Sequence, residues 1–177
     1  MKKYRAVLAV LVCVALVLLA YSFSKRAYVQ HLQRAHITVK AQHMKRSVVN
    51  ESSSKENSDN IDDVVYYKAS SGKIQYVVTY SQNKSDLNLL MAANSIKKMF
   101  RDYDFQFTIT ENPVAGFDSL LLDGTFKKDG KDFALKELLI KNEKEFWQAL
   151  AIYPSSEKNA EKADKFIKSV IVDTTTK

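Results

Sequence analysis

The stretch Phe146–Val172, FWQALAIYPSSEKNAEKADKFIKSVIV, decides the fold. Trp147, Ala149, Ala151 and Tyr153 alternate with Phe146, Gln148, Leu150 and Ile152, and both sides are largely apolar. This pattern predicts a strand near the middle of a sheet, covered on both faces. Pro154 ends it, because proline cannot donate to a ladder, and Ser155 or Ser156 offers an N-cap to a following helix. In that helix Ala160, Ala163, Ile167 and Val170 form an apolar stripe opposite Glu157, Lys158, Glu161, Lys162, Lys165 and Lys168. The helix is expected to lie back across the sheet.

Upstream, Val64–Lys68 and Ile74–Tyr80 read as a hairpin with Gly72 in its turn. Ser85 can cap a helix running to about Asp102, with Leu89, Ala92, Ala93, Ile96, Met99 and Phe100 as its buried stripe. Phe105, Phe107 and Ile109 alternate with polar residues in a strand with one wet face. Phe117–Phe126 and Phe133–Lys141 are two further strands, joined by Lys127–Asp132 with Gly130 in the turn. His36–Lys40 (HITVK) is a candidate first strand. The polar loop 50–62 has nothing to bury. Its Asn50, like Asn83, opens a weak N-x-Ser sequon.

The formal net charge of +7 invites a nucleic-acid reading, but its distribution argues against one. Residues 1–50 hold nine Lys/Arg and no acid, whereas residues 51–177 hold eighteen Lys/Arg against twenty Asp/Glu. A nucleic-acid binder carries its basic footprint on the folded domain. Here it flanks an apolar run, so no nucleic-acid partner is expected. The single cysteine, Cys13, lies inside that run and precludes an intrachain disulfide.

The run Ala6–Phe23 has eighteen residues without charge, Gly or Pro. As a helix it would be about 27 Å long, just enough to cross a bilayer core. An uncleaved single-pass anchor is favoured on length, and a signal peptide cleaved near Ser22 is the alternative. Either reading puts the bulk of the chain outside the cytoplasm, at the inner or plasma membrane or free in the periplasm or medium. Lys25, Arg26 and Arg34 would then meet the membrane surface, with Lys25–Arg34 extending the helix through Tyr28, Val29 and Leu32. The organisation so read is a tip at 1–5, an anchor or signal at 6–24, a basic segment at 25–35, a domain at 36–173 and a tail at 174–177.

The order of elements, the phrases VVYYKASSGKIQYVVTYS (Val64–Ser81) and FIKSVIV (Phe166–Val172), and Gly116 opening the second half together resemble the PsbP-like superfamily over roughly residues 36–173. Family members often carry a proline after the first strand, and Val39–Lys45 has none. The resemblance implies an α+β domain: an antiparallel β-sheet with helices packed on both faces, an α/β/α sandwich, here preceded by one N-terminal apolar membrane helix. Plant and cyanobacterial relatives look like extrinsic subunits of photosystem II, a eukaryotic relative binds a small GTPase, and bacterial relatives are small envelope proteins. The resemblance implies no catalytic residue.

The residues themselves point the same way. From Glu51 onward there is neither cysteine nor histidine, which removes Cys–His and Ser–His–acid nucleophiles and Cys/His zinc sites from that part of the chain. Four glycines build no phosphate-cradling loop, and no metal or cofactor is expected. His31, His36 and His43 lack the spacing or companions of a metal site. Asp102/Asp104, Asp118/Asp123 and Asp129/Asp132 sit mostly at predicted turns, where Asp is common for local reasons. The expected function is therefore an interaction or assembly module of the cell envelope with a protein partner, not an enzyme. A periplasmic small-ligand or lipid-binding protein is the alternative, and an enzyme of unknown type stands behind it. Tyr66 and Tyr67 are the candidate partner-binding residues, and alternation puts them on opposite faces of one strand.

Overall fold

The computed structural model describes residues 27–47, 61–112, 114 and 116–173. Ten strands and two α-helices follow in the order β1 (Tyr28–Leu32), β2 (Ile37–Ala41), β3 (Lys45–Ser47), β4 (Ile61–Ser71), β5 (Ile74–Asn83), α1 (Leu89–Met99), β6 (Gln106–Glu111), β7 (Asp118–Lys128), β8 (Lys131–Asn142), β9 (Glu145–Pro154), α2 (Glu157–Ile167) and β10 (Ile171–Val172). Seven strands form one sheet in the order β3-β4-β5-β9-β8-β7-β6, and β1-β2-β10 form a second. Every neighbouring pair is antiparallel. The strand read first, β9, lies at the centre of the large sheet.

Short turns set the register. In the β7–β8 hairpin Lys128 pairs directly with Lys131, leaving only Asp129 and Gly130 in the turn. Both have positive φ, 51° and 70°, the conformation a two-residue hairpin turn requires. The turn is narrower than the six residues expected there. After β5, α1 carries the chain to the far edge, and β6 to β9 return strand by strand to pair with β5.

The expectation of helices packed on both faces is corrected. The chain is mostly strand, in two antiparallel sheets. One face of the large sheet is closed by the small sheet together with α2, in a core of Ile37, Val39, Val78, Trp147, Phe166 and their neighbours. Trp147 is 1% exposed, and its Nε1 donates to the Ala35 carbonyl at 2.6 Å, tying the two sheets together. The other face carries, among the described residues, the single α-helix α1, eleven residues long, packed on β7 and β8 through Ala93, Ile96, Leu122, Leu139 and Phe146. Toward β4 and β5 no described helix covers that face, and Leu150 and Ile152 of β9 are half-buried. The physical reason is the alternation in YVQHL and ITVKA, which pairs these segments with each other as a second sheet layer, so that α2 shares this face with strands.

The remaining corrections follow from the same chain. Tyr28, Val29 and Leu32 lie on strand β1, not on a helical extension of an anchor. The single N-terminal membrane helix is not carried by the structure as a membrane partner: among the described residues no helix is long and apolar enough to cross a membrane. The run Ala6–Phe23 that motivated it lies outside the described residues, as do most of the loop 50–62 and the tail 174–177. Helix α1 is capped by Asn88, whose side chain accepts from the Met91 amide at 3.0 Å, three residues later than expected. Helix α2 is capped by Ser156, one of the two serines proposed for it.

Candidate functional site

Strand β2 turns Ile37, Val39 and Ala41 into the core and leaves Lys40 outside. Helix α2 buries Ala163, Phe166 and Ile167, which leaves Lys162 and Lys165 on its solvent side. Where β2 approaches the C-terminal end of α2, the two outward sets meet. Ser169 accepts from the Lys40 amide at 2.7 Å and donates to the Phe166 carbonyl at 2.6 Å, fixing that approach. A cavity of about 400 Å³ opens beside it, walled by Ala41, Tyr76 and Phe166 and rimmed by Lys40, Lys162, Lys165 and Lys168. Among the described residues no carboxylate lines it. The Tyr76 and Phe166 rings lie 4.8 Å apart. Burial pushes the Tyr76 phenol pKa up, so it remains a neutral donor.

Across α2 lies a second cleft of about 370 Å³, with Val114, Leu121, Leu138 and Ile167 as apolar wall. Lys136 stands in it, its Nζ 2.6 Å from Asp123 and 2.8 Å from Asp164. Burial alone would lower the Lys136 pKa, but the hydrogen bonds and charges of the two carboxylates outweigh that and push it up. A lysine locked as an ammonium is no nucleophile. Its evident work is to pin α2 to β8 through Asp164.

On the opposite face of the sheet, Glu137 is 4% exposed on β8, between Leu122 of β7 and Leu150 of β9. Burial pushes its pKa up to about 7.

The residues expected from sequence are distributed differently. Lys25 and Arg26 lie outside the described residues. Arg34 is exposed on a 3-10 turn, Gln33–Ala35, and lines a shallow recess of about 440 Å³ with Tyr28, His31 and Tyr67. Tyr67 is 9% exposed and belongs to the core, while Tyr66 is half-buried on the other face, so the two do not share a surface. The histidines are dispersed: His31 Nδ1 is 3.0 Å from Asp173, and His43 Nδ1 is 2.8 Å from the Tyr28 hydroxyl. His36 stands edge-on to Tyr80, 5.8 Å away. Lys162, Lys165 and Lys168 escaped sequence reasoning because lysines opposite an apolar stripe look like a solvated helix face. The available signal was their spacing of three, which lines them along one side.

No family model and no curated protein matches the chain. Several solved structures are similar to it, two of them as follows. One is PA94, a protein of unknown function from Pseudomonas aeruginosa, at 12% identity and TM-score 0.43, covering 77% of this chain and 89% of that one. The other is LpqN, involved in cell envelope biogenesis of Mycobacterium tuberculosis, at 15% identity and TM-score 0.45, covering 74% and 92%. Likenesses this distant carry no argument about this chain.

Proposed function

We propose that the chain is a non-catalytic binding domain for an amphipathic anion, an acyl chain ending in a carboxylate or phosphate, seated between β2 and α2. The observation that carries this reading is the cavity of about 400 Å³ with an apolar wall, four lysines at its rim and, among the described residues, no carboxylate. Its size falls within the range of small-molecule sites, roughly 300–1,000 Å³. Its four ammonium groups would attract an anionic head while Tyr76 and Phe166 cover the chain. The basic start and apolar run of the sequence favour placing the domain outside the cytoplasm.

Calorimetric titration of delipidated protein tests this. Dodecanoate and dodecyl phosphate should bind saturably, and dodecanol at least about tenfold more weakly, a difference of about 1.4 kcal/mol. The Lys40→Gln/Lys165→Gln variant should lose that preference. Equal binding of dodecyltrimethylammonium would sink the reading. A second reading, a module that docks a protein partner, is favoured by the outer side of α1, where Leu90, Met91 and Met99 are 55%, 70% and 75% exposed. Replacing Met91 and Met99 by Lys should then abolish recovery of the partner and leave acyl-anion binding intact.

A further inference from the structure

We infer that the opposite face of the large sheet carries a second site, an aromatic basin at its hairpin end that takes a planar aromatic anion. Phe126 and Phe133 are direct partners across β7 and β8, and their rings stack at 5.5 Å with an interplanar angle of 17°. Phe100, at the C-terminal end of α1, lies 5.0 Å from the Phe126 ring, and Tyr103 lies 6.1 Å from it. Gly124 makes this packing possible. A Cβ there would overlap the Phe105 ring, so the missing side chain leaves the space in which Phe105 packs 4.9 Å from Phe100. The rings enclose a cavity of about 440 Å³, completed by Ile152.

The rim supplies the charge. Lys128 and Lys131 face each other across the β7–β8 turn and leave the same face of the sheet as Phe126 and Phe133. Like charges directly opposite in an antiparallel pair repel. Lys73, at the tip of the β4–β5 hairpin, adds a third ammonium, against Asp129 as the one carboxylate among the described lining residues. Lys128 Nζ stands 6.0 Å from the centre of the Tyr103 ring, within reach of a cation–π contact. An anion held between these lysines relieves their repulsion. Aromatic walls favour a flat ring over an acyl chain, because offset ring faces stack. The cavity has room for a bicyclic aryl carboxylate. The Phe126–Phe133 face is the one turned away from Tyr76 and Phe166, so this site stands or falls separately from the acyl-anion cavity.

The experiment is an amide-resolved NMR titration of the full chain with 2-naphthoate, alongside naphthalene-2-carboxamide as the neutral shape. Saturable shifts are expected at Tyr103 and along Phe126–Phe133, with the carboxamide at least about tenfold weaker. The Lys128→Gln/Lys131→Gln variant should weaken naphthoate by about tenfold or more with an unchanged far-ultraviolet spectrum, and dodecanoate should not compete. Shifts centred on α2 instead, equal affinity for the neutral amide, or no saturable shift by about 5 mM, weaker than any useful site, would each overturn the inference.

Discussion

Glu137 makes the stability of this fold depend on pH in an unusual direction. The residue is 4% exposed between Leu122 and Leu150, and burial raises its pKa from 4.5 to about 7. Below about pH 4.5 the group is protonated in both folded and unfolded chains and contributes nothing to the difference. Between about 4.5 and 7 the unfolded chain has released the proton while the native one still holds it. The unfolded state then binds fewer protons, so stability falls as pH rises through this window. Above about 7 the native carboxylate is charged as well, and the loss is complete. At about 1.4 kcal/mol per pKa unit, the full loss is about 3 kcal/mol.

Glu137→Gln keeps the shape and removes the titration. Urea unfolding of both proteins, followed through the single tryptophan, Trp147, at steps from pH 4 to 8 isolates the effect. Any pH-independent cost of burying the amide shifts the whole difference curve and leaves its slope untouched. Relative to wild type, the variant should gain about 3 kcal/mol between pH 4 and pH 8. A difference that stays flat across that range, or a gain for the wild type at high pH, would refute the reasoning.

Trp147→Ala should cost about 3–5 kcal/mol in the same assay, read by circular dichroism, because it empties a site between the two sheets. Trp147→Phe keeps most of the volume but leaves the Ala35 carbonyl without its donor, and should cost about 1–3 kcal/mol; a cost below about 0.5 kcal/mol would mean the bond contributes nothing. Gly124→Ala should destabilise by about 1–3 kcal/mol, since its Cβ would overlap the Phe105 ring and the ring must move. A neutral melt for that variant would show the ring free to swing aside.

Much of the large sheet was legible in the sequence, because period-two alternation and turn residues are local signals. Strand β9, its stop at Pro154 and the cap at Ser156 follow from residues adjacent in the chain. Strand β1 does not. Tyr28, Val29 and Leu32 suit one side of a helix as well as a strand, and the decision comes from far partners. Gln30 donates to the carbonyls of Ala41 and Gln42, each at 2.9 Å, and accepts from the Met44 amide at 2.9 Å, which a helix at this place could not arrange. Asn88 displaced Ser85 as the cap of α1 for a related reason: the two residue types cap equally well, and local preference does not choose between them.

The cavity between β2 and α2 was illegible for a stronger reason, since no single element contains it. Lys40 and Ser169 are joined by a hydrogen bond spanning 129 residues of sequence. On β2 alone Lys40 is an outward lysine, and on α2 alone Lys162 and Lys165 are a wet face. An isolated eleven-residue helix is also marginal in water. Helix α2 therefore owes its place to packing and to ties at both flanks: Asp164 on Lys136 on one side, Ser169 on the Lys40 amide on the other. Those ties hold the lysines over Tyr76 and Phe166. The Lys136 clamp and the cavity beside Ser169 are thus two sides of one helix, with Asp123 and Asp164 on the clamp side and Lys162, Lys165 and Lys168 on the cavity side.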